Sequence, residues 1–122
     1  MKKFQDLSQR IRFSPKPVVA APFQLTLGGG VEIVQPAAHR VAAAETYMGL
    51  VEVGVGLIPG GGGNLRMILN ALDSNTGRMG AFQKIKNTFE IVGFAKIAKS
   101  AEEAKELGYL NINDTIVLNR NH

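Results

Sequence analysis

The chain has 122 residues, of which 45% are hydrophobic and 20% are charged, and it has no cysteine. This length suits one domain, and the composition excludes wholesale disorder, disulfides and thiolate chemistry. The net charge of +4 is modest, and no run of five like charges indicates a nucleic-acid surface. No apolar stretch is long enough to cross a bilayer or to form a secretory signal, so we expect a cytoplasmic protein without membrane or nucleic-acid partners.

An amphipathic helix opens the chain. Its apolar residues recur at spacings of three and four, which is the helical period: Phe4, Leu7 and Ile11. The two prolines within residues 14–17 end this helix, because proline lacks the amide donor and biases its predecessor toward extended backbone. Two short apolar runs, at residues 18–21 and 40–44, are typical of buried strands. A helix over residues 31–35 is predicted between them.

Helices dominate the later part of the chain. In order, we expect a glycine-rich connection over residues 49–63, helices over 64–72 and 81–91 with a turn cluster at 73–77 between them, and a last strand over 115–118. Phe82, Ile85 and Phe89 fall on one face of the second of these helices, which predicts that this face packs in the core. The alternation of strands and helices indicates an α/β layered fold, in one domain over residues 1–122.

Ser100 and Glu103 predict the start of a further helix. In a capping box the serine oxygen accepts a hydrogen bond from the Glu103 amide, and the Glu103 side chain reaches back to the serine amide. Gly108 is a natural end for this helix, because glycine adopts the left-handed backbone conformation without strain.

Two glycine-rich segments carry the acidic residues that are suited to chemistry. Glu32 follows the glycines at 28–30, and Glu52 precedes those at 60–63. Glycines let a substrate approach the backbone, and a helix that starts at the first segment would aim free amides at developing negative charge, as an oxyanion hole does. Glu52 lies among apolar residues, where a carboxylate can do acid/base work. A plainer interpretation is that the glycines make tight turns and both glutamates face water.

Other kinds of site are disfavoured. No metal site is expected, because the chain has two histidines, no cysteine and no His-x-x-x-His motif. Residues 54–59 resemble the start of a dinucleotide-binding fingerprint, but Pro59 stands where the third glycine belongs. His39 is expected to be structural or exposed rather than catalytic.

The order of these motifs resembles the crotonase (enoyl-CoA hydratase/isomerase) superfamily. In that family a strand that begins Lys-Pro-Val precedes a Gly-Gly-Gly-x-Glu helix start, as residues 16–18 and 28–32 do here. A second glutamate follows twenty residues later, before Gly-Leu-Ile-Pro-Gly-Gly-Gly-Gly, and Glu52 matches it. Residues 100–108 match the family's Ser-Ala-x-x-Ala-x-x-Leu-Gly helix, so the resemblance covers most of the chain.

The resemblance implies a reaction and a site. Gly29 would supply one amide to the thioester oxyanion, Glu32 would activate water for attack at the β-carbon, and Glu52 would exchange the proton at the α-carbon. Four further residues would contact substrate: Gly28, Gly30, Pro59 and Gly60. The implied activity is hydration of trans-2-enoyl-CoA to 3-hydroxyacyl-CoA in fatty-acid β-oxidation, on an acyl-CoA thioester and without a metal or other cofactor. An enoyl-CoA isomerase or another crotonase activity is the alternative, and the presence of both glutamates favours the hydratase.

The resemblance also implies that the chain is part of a longer domain. The expected fold is a partial ββα superhelix without the N-terminal half, which contributes the other oxyanion amide and much of the CoA site, and without the C-terminal helical tail. A catalytically inactive fragment that self-associates, or that binds acyl-CoA or a partner subunit, is therefore a third hypothesis, and a homo-oligomer is expected.

Two local features refine the resemblance. Residues 45–52 look most like the hydratase part of β-oxidation proteins that also carry a 3-hydroxyacyl-CoA dehydrogenase, and NAD would serve only such an attached domain. The family usually has Gln-Pro before the second glutamate, whereas this chain has Leu50 and Val51. The entry into the turn that carries Glu52 is therefore expected to differ.

Overall fold

The computed structural model describes residues 2–73 and 80–118. In chain order, the elements of this part are α1 (Lys2–Arg12), β1 (Val19–Ala20), β2 (Leu25–Leu27), α2 (Gly29–Val34), β3 (His39–Ala43), β4 (Tyr47–Gly49), a 3₁₀ turn (Glu52–Val55), α3 (Gly63–Asp73), α4 (Ala81–Gly93), α5 (Ala101–Leu107) and β5 (Thr115–Val117). Among these residues, no helix is both long and apolar enough to cross a membrane.

The strands form two small parallel sheets. β3 lies between β1 and β5 in the first sheet, and β2 pairs with β4 in the second. Parallel strands need crossover connections, and the helices between them in the chain supply these. The predicted α/β fold is thus confirmed.

Most predicted elements are present, with bounds that agree to within two residues. β2, β4 and the 3₁₀ turn were not predicted, because these segments are three or four residues long and have no clear alternation. Of the predicted turn cluster, Asp73 is the last residue of α3, and residues 74–77 lie outside the described part.

The predicted caps of α5 are largely confirmed. The Glu103 amide donates to Ser100 Oγ over 3.1 Å, and Gly108 ends the helix with φ of 92°. The return bond of the capping box is displaced by one residue, because the Glu103 carboxylate accepts from the amide of Lys99 rather than that of Ser100. The Ser100 side chain nevertheless satisfies one of the amides that a helix start leaves unpaired.

The core lies between the two sheets and the helices α2, α3, α4 and α5. Its buried members are Val31, Val34, Ala42, Met48, Leu50, Met67, Val92, Ala98, Ala101, Ala104, Tyr109 and Leu110. The prediction that Phe82, Ile85 and Phe89 pack in this core is wrong, because all three are exposed. α4 is instead buried through the face that carries Thr88 and Val92.

A buried ion pair fastens β5 to the rest of the fold. Asp114 is almost fully buried, and Arg40 Nε donates to it over 2.6 Å. The same guanidinium donates to the carbonyls of Gln35 and Ala37 at the end of α2. His39 Nε2 lies 2.9 Å from Thr115 Oγ1, so this histidine has a structural contact, in line with its predicted role.

We expect Asp114→Ala to lower the free energy of unfolding by about 3 kcal/mol, because it leaves the mostly buried Arg40 guanidinium without its carboxylate. Urea unfolding followed by circular dichroism would measure the loss. Glu106→Ala, at an exposed position of α5, is the matched control and should change stability by less than about 0.5 kcal/mol. Equal losses in the two variants would contradict a structural role for the ion pair.

Candidate active site

Two neighbouring strands end side by side and bring the segments that carry Glu32 and Glu52 into one region. Leu27 of β2 pairs with Gly49 of β4, and the Gly28 amide donates to the Gly49 carbonyl over 2.7 Å. The carboxyl ends of parallel strands lie at the same edge of a sheet, where α/β proteins place their sites. Glu32 in α2 follows the first strand and Glu52 in the 3₁₀ turn follows the second.

Glu32 is buried and anchored to the glycine segment that we define as residues 60–63. Glu32 is 4% exposed, and its Oε2 accepts hydrogen bonds from the amides of Gly61 at 2.5 Å and Gly63 at 2.9 Å. Gly63 is the first residue of α3, and such amides have no partner within their own helix. The plainer interpretation, in which both glutamates face water, is therefore wrong for Glu32.

The side chain of Glu52 lies against the backbone where α2 begins. A β-carbon added at Gly28 would lie 2.9 Å from Glu52 Oε1, and Gly28 has φ of 55°, so this position requires glycine. The other oxygen, Oε2, is buried and has no hydrogen-bond partner among the described residues. A buried polar atom without a partner costs free energy, and such atoms in native proteins call for a functional explanation.

Helix α1 covers the glycine segment. The ring of Phe4 contacts Gly61 and lies 3.6 Å from where a β-carbon on Gly29 would be. Gln5 Nε2 donates to the Gly60 carbonyl over 2.7 Å, and the buried Ser8 packs against Gly62. An apolar ring therefore lies beside Gly61, one of the two residues whose amides anchor Glu32, and near Gly29, whose amide is predicted for the oxyanion.

The structure brings most of the predicted site residues to this region. Gly28 and Gly29 begin α2 beside Glu52 and Phe4 respectively, whereas Gly30 packs toward the methyl group of Thr26 in β2. The carbonyls of Pro59 and Gly60 accept hydrogen bonds from Asn64 and Gln5, so they are already engaged within the chain.

The two amides that hold Glu32, those of Gly61 and Gly63, were not predicted from the sequence. The run of four glycines was the available signal, but it was interpreted as a connection. Both residues are buried, and neither has positive φ, so they are glycines because of close packing and not because of backbone conformation. A β-carbon on Gly63 would lie 2.9 Å from a methyl group of Leu50 and 3.1 Å from Cγ of Glu32.

Tyr109 lies behind the turn that carries Glu52. The side chain is fully buried, and its hydroxyl donates to the Lys96 carbonyl over 2.6 Å. Burial raises the pKa of Tyr109, a hydrogen bond from the Leu50 backbone opposes this increase, and the charge of Glu52 adds to it. The phenol is therefore held in its neutral form, within the electric field of the Glu52 carboxylate.

An apolar cleft of about 530 Å³ lies between the 3₁₀ turn, α3 and α4. Its apolar lining includes Val53, Ile58, Ile68, Ile85, Phe89 and Phe94. Pro59 also lines it, and Val53 and Pro59 are the chain neighbours of Glu52 and of the glycine segment, although neither Glu32 nor Glu52 lines the cleft.

We expect Gly61→Ala to lower the free energy of unfolding by about 1–3 kcal/mol, because the added methyl group would overlap the Phe4 ring and approach the Glu32 carboxyl carbon. Gly54→Ala is the control, since its nearest neighbour would be 3.6 Å away, and it should change stability by less than about 0.5 kcal/mol. Thermal or urea unfolding measures both. In a double-mutant cycle, Phe4→Ala should relieve part of the Gly61→Ala loss, and strict additivity would contradict the contact.

The family of the chain follows from its similarity to known proteins. A family model described as enoyl-CoA hydratase/isomerase matches residues 1–107. The chain is 50% identical over all 122 residues to a probable 3-hydroxyacyl-CoA dehydrogenase of Bacillus subtilis (strain 168), of which it covers 15%. It is 32% identical over 108 residues, or 88% of the chain, to a probable enoyl-CoA hydratase of the same organism, of which it covers 37%.

Solved structures share the fold. Enoyl-CoA hydratase from Thermoplasma volcanium GSS1 matches 98% of the chain with a TM-score of 0.77 and 28% identity, and the match covers 42% of that protein. A putative enoyl-CoA hydratase from Streptomyces avermitilis matches 94% of the chain with a TM-score of 0.74 and 28% identity, over 36% of its own length. The chain therefore spans less than half the length of each of these relatives, and its fold is a partial crotonase-type domain. The resemblance seen in the sequence is confirmed: this chain belongs to the enoyl-CoA hydratase/isomerase family.

Proposed function

We propose that this chain carries the acid/base part of an enoyl-CoA hydratase site, which adds water to trans-2-enoyl-CoA to give 3-hydroxyacyl-CoA. The observation that carries the proposal is the placement of two differently held carboxylates at the ends of β2 and β4. Glu32 is anchored through one oxygen, and Glu52 lies over Gly28 with one buried oxygen unpaired. Addition of water across a conjugated double bond needs two proton transfers, and two carboxyl groups can perform them.

The Gly29 amide polarises the thioester carbonyl in the proposed site. Gly29 is the first residue of α2, so its amide has no partner within the helix. A hydrogen bond from this amide to the thioester oxygen makes the β-carbon electrophilic, and it stabilises the enolate that forms on attack. The second donor to that oxygen would come from the part of the family domain that lies outside this chain.

The two glutamates divide the proton transfers between them. Glu32 keeps Oε2 on the two glycine amides, and Oε1, which has no hydrogen bond to a described residue, accepts a proton from the attacking water. The water oxygen bonds to the β-carbon, and the double-bond electrons move into the thioester enolate. Glu52 then delivers a proton to the α-carbon, and solvent restores both carboxyl groups to their starting states.

The apolar cleft suits the alkyl chain of the substrate. Its lining includes Val53 and Pro59, which neighbour Glu52 and the glycine segment in the chain, and its walls are mostly apolar. The similarity to a probable 3-hydroxyacyl-CoA dehydrogenase supports a place in fatty-acid β-oxidation, where such a dehydrogenase oxidises the hydration product with NAD. The proposed location is the cytoplasm.

The purified chain should hydrate crotonyl-CoA, which is measured as loss of the enoyl-thioester absorbance. We expect Glu32→Gln and Glu52→Gln each to lower kcat by about 10²–10⁴-fold, because each removes a different proton transfer. Glu106→Gln, an exposed position on α5, should leave the rate unchanged. Hydration that survives both active-site substitutions would contradict the proposal, and turnover of a 3-enoyl-CoA without hydration would favour the isomerase.

Unfolding experiments on the same variants separate lost chemistry from a lost fold. Glu32→Gln should cost about 1–3 kcal/mol of stability, because the charged acceptor of two backbone amides is replaced by a neutral one. Glu52→Gln should cost less, since Oε2 of Glu52 accepts no hydrogen bond from a described residue. A folded but inactive Glu52→Gln variant therefore gives the cleaner test of the catalytic role.

A non-catalytic chain that self-associates is the second candidate. The observation that favours it is the number of large apolar side chains at the surface, among them Phe13, Phe23, Phe82, Phe89, Phe94 and Leu118. Apolar surface on this scale is typical of interfaces. We expect size-exclusion chromatography with light scattering to show a homo-oligomer at micromolar concentration, and a monomer would contradict this expectation.

A further inference from the structure

The Tyr109 hydroxyl interrupts a strand pairing close to Glu52. Met48 and Ala98 form an antiparallel bridge, with the Met48 amide donating over 3.0 Å and the Ala98 amide over 2.7 Å. In such a ladder the next hydrogen-bonded pair lies two residues along each strand, so it would join Leu50 to Lys96. Instead, the Tyr109 hydroxyl donates to the Lys96 carbonyl over 2.6 Å, and the Lys96 amide donates to the Ile91 carbonyl over 3.0 Å.

Leu50 lies between this contact and the candidate active site. It is fully buried, two residues before Glu52, and its methyl groups pack against Gly63, whose amide anchors Glu32. A shift of Leu50 toward Lys96 would therefore move the start of the turn that places Glu52 over Gly28. The hydroxyl of Tyr109 opposes this shift because it occupies the Lys96 carbonyl, which is the acceptor that the Leu50 amide would use if the ladder continued.

The local sequence explains why such a contact is needed. Val51 lies directly before Glu52, where a proline would fix its own φ and restrict the residue before it. Valine imposes no such restriction, so the position of Leu50 depends on tertiary contacts. The Tyr109 hydroxyl lies on the Lys96 carbonyl, the group that faces Leu50 in the ladder.

We propose that Tyr109 is a positioning residue for Glu52: its hydroxyl separates Leu50 from Lys96 and so keeps the Glu52 carboxylate over Gly28. The inference rests on the proposed function in so far as it assigns Glu52 the transfer of the α-carbon proton. Its structural part, the dependence of the Glu52 position on the Tyr109 hydroxyl, is independent of turnover. The two parts can therefore be tested separately.

The test is Tyr109→Phe, with Tyr47→Phe as the matched control. These are the two tyrosines of the chain, and Tyr47 is an exposed residue of β4. With carboxyl-¹³C-labelled glutamate, we expect the Glu52 resonance to move in Tyr109→Phe and to stay in place in Tyr47→Phe, while the Glu32 resonance stays in place in both. Hydrogen exchange of the Leu50 amide should accelerate in Tyr109→Phe alone.

Kinetics tests the functional part. We expect Tyr109→Phe to lower kcat by about tenfold with KM changed by less than about twofold, because the proton transfer is misaligned while binding is retained. If the wild-type chain shows no turnover, that result counts against the proposed function only. The Glu52 resonance then still tests whether Tyr109 positions Glu52. An unmoved Glu52 resonance in a folded Tyr109→Phe variant would overturn the inference.

An alkaline titration needs no substitution at Tyr109, so it remains decisive if Tyr109→Phe does not fold. The pKa of Tyr109 is raised, so its phenol loses its proton above the ordinary tyrosine value of about 10. The phenolate cannot donate to the Lys96 carbonyl, and the Glu52 resonance should change across the same pH range in which the ultraviolet absorbance of a Tyr47→Phe variant reports the ionisation of Tyr109. A Glu52 resonance that is constant across that ionisation would overturn the inference.

Discussion

The two hydrogen bonds that Glu32 accepts from Gly61 and Gly63 are the constraint on which the rest of the region depends. They join residues about thirty positions apart in the chain, and they fix α2, the glycine segment and the start of α3 relative to one another. A carboxylate is a strong acceptor for the free amides at a helix start, where the helix dipole also favours negative charge. The residue that the proposed mechanism uses as a base is thus also a structural cap.

The two carboxyl groups differ in the hydrogen bonds that their surroundings provide. Glu32 gains two charge-assisted hydrogen bonds, each of which stabilises the fold by about 1.5–3 kcal/mol. Glu52 has a buried oxygen without a described partner, which destabilises the folded state. Natural proteins break such local rules mainly at functional sites. The unequal treatment therefore fits a pair in which one group is fixed and the other must exchange its proton with a substrate.

The helices could be predicted from the sequence because periodicity and caps are local signals, as Phe4 and Ser100 show. β2 and β4 could not, since each is three residues long and its pairing joins segments about twenty residues apart. Because those strands were not predicted, the residues alone did not indicate that Glu32 and Glu52 belong to one site. Only the family resemblance predicted this. The anchoring amides and Tyr109 depend on tertiary contacts, which leave no local pattern.

Each glutamate lies close to the segment that carries the other, but among the described residues only Glu32 is hydrogen-bonded there. Glu32 follows Gly28 in α2, and it is held by Gly61 and Gly63, which follow the turn of Glu52. Glu52 in turn lies over Gly28, at the start of the helix that carries Glu32. The position of Glu32 therefore depends on the segment that follows Glu52. Glu52 lies against the start of α2 but shares none of the hydrogen bonds that anchor Glu32, so a change in the position of Glu52 leaves those two bonds intact.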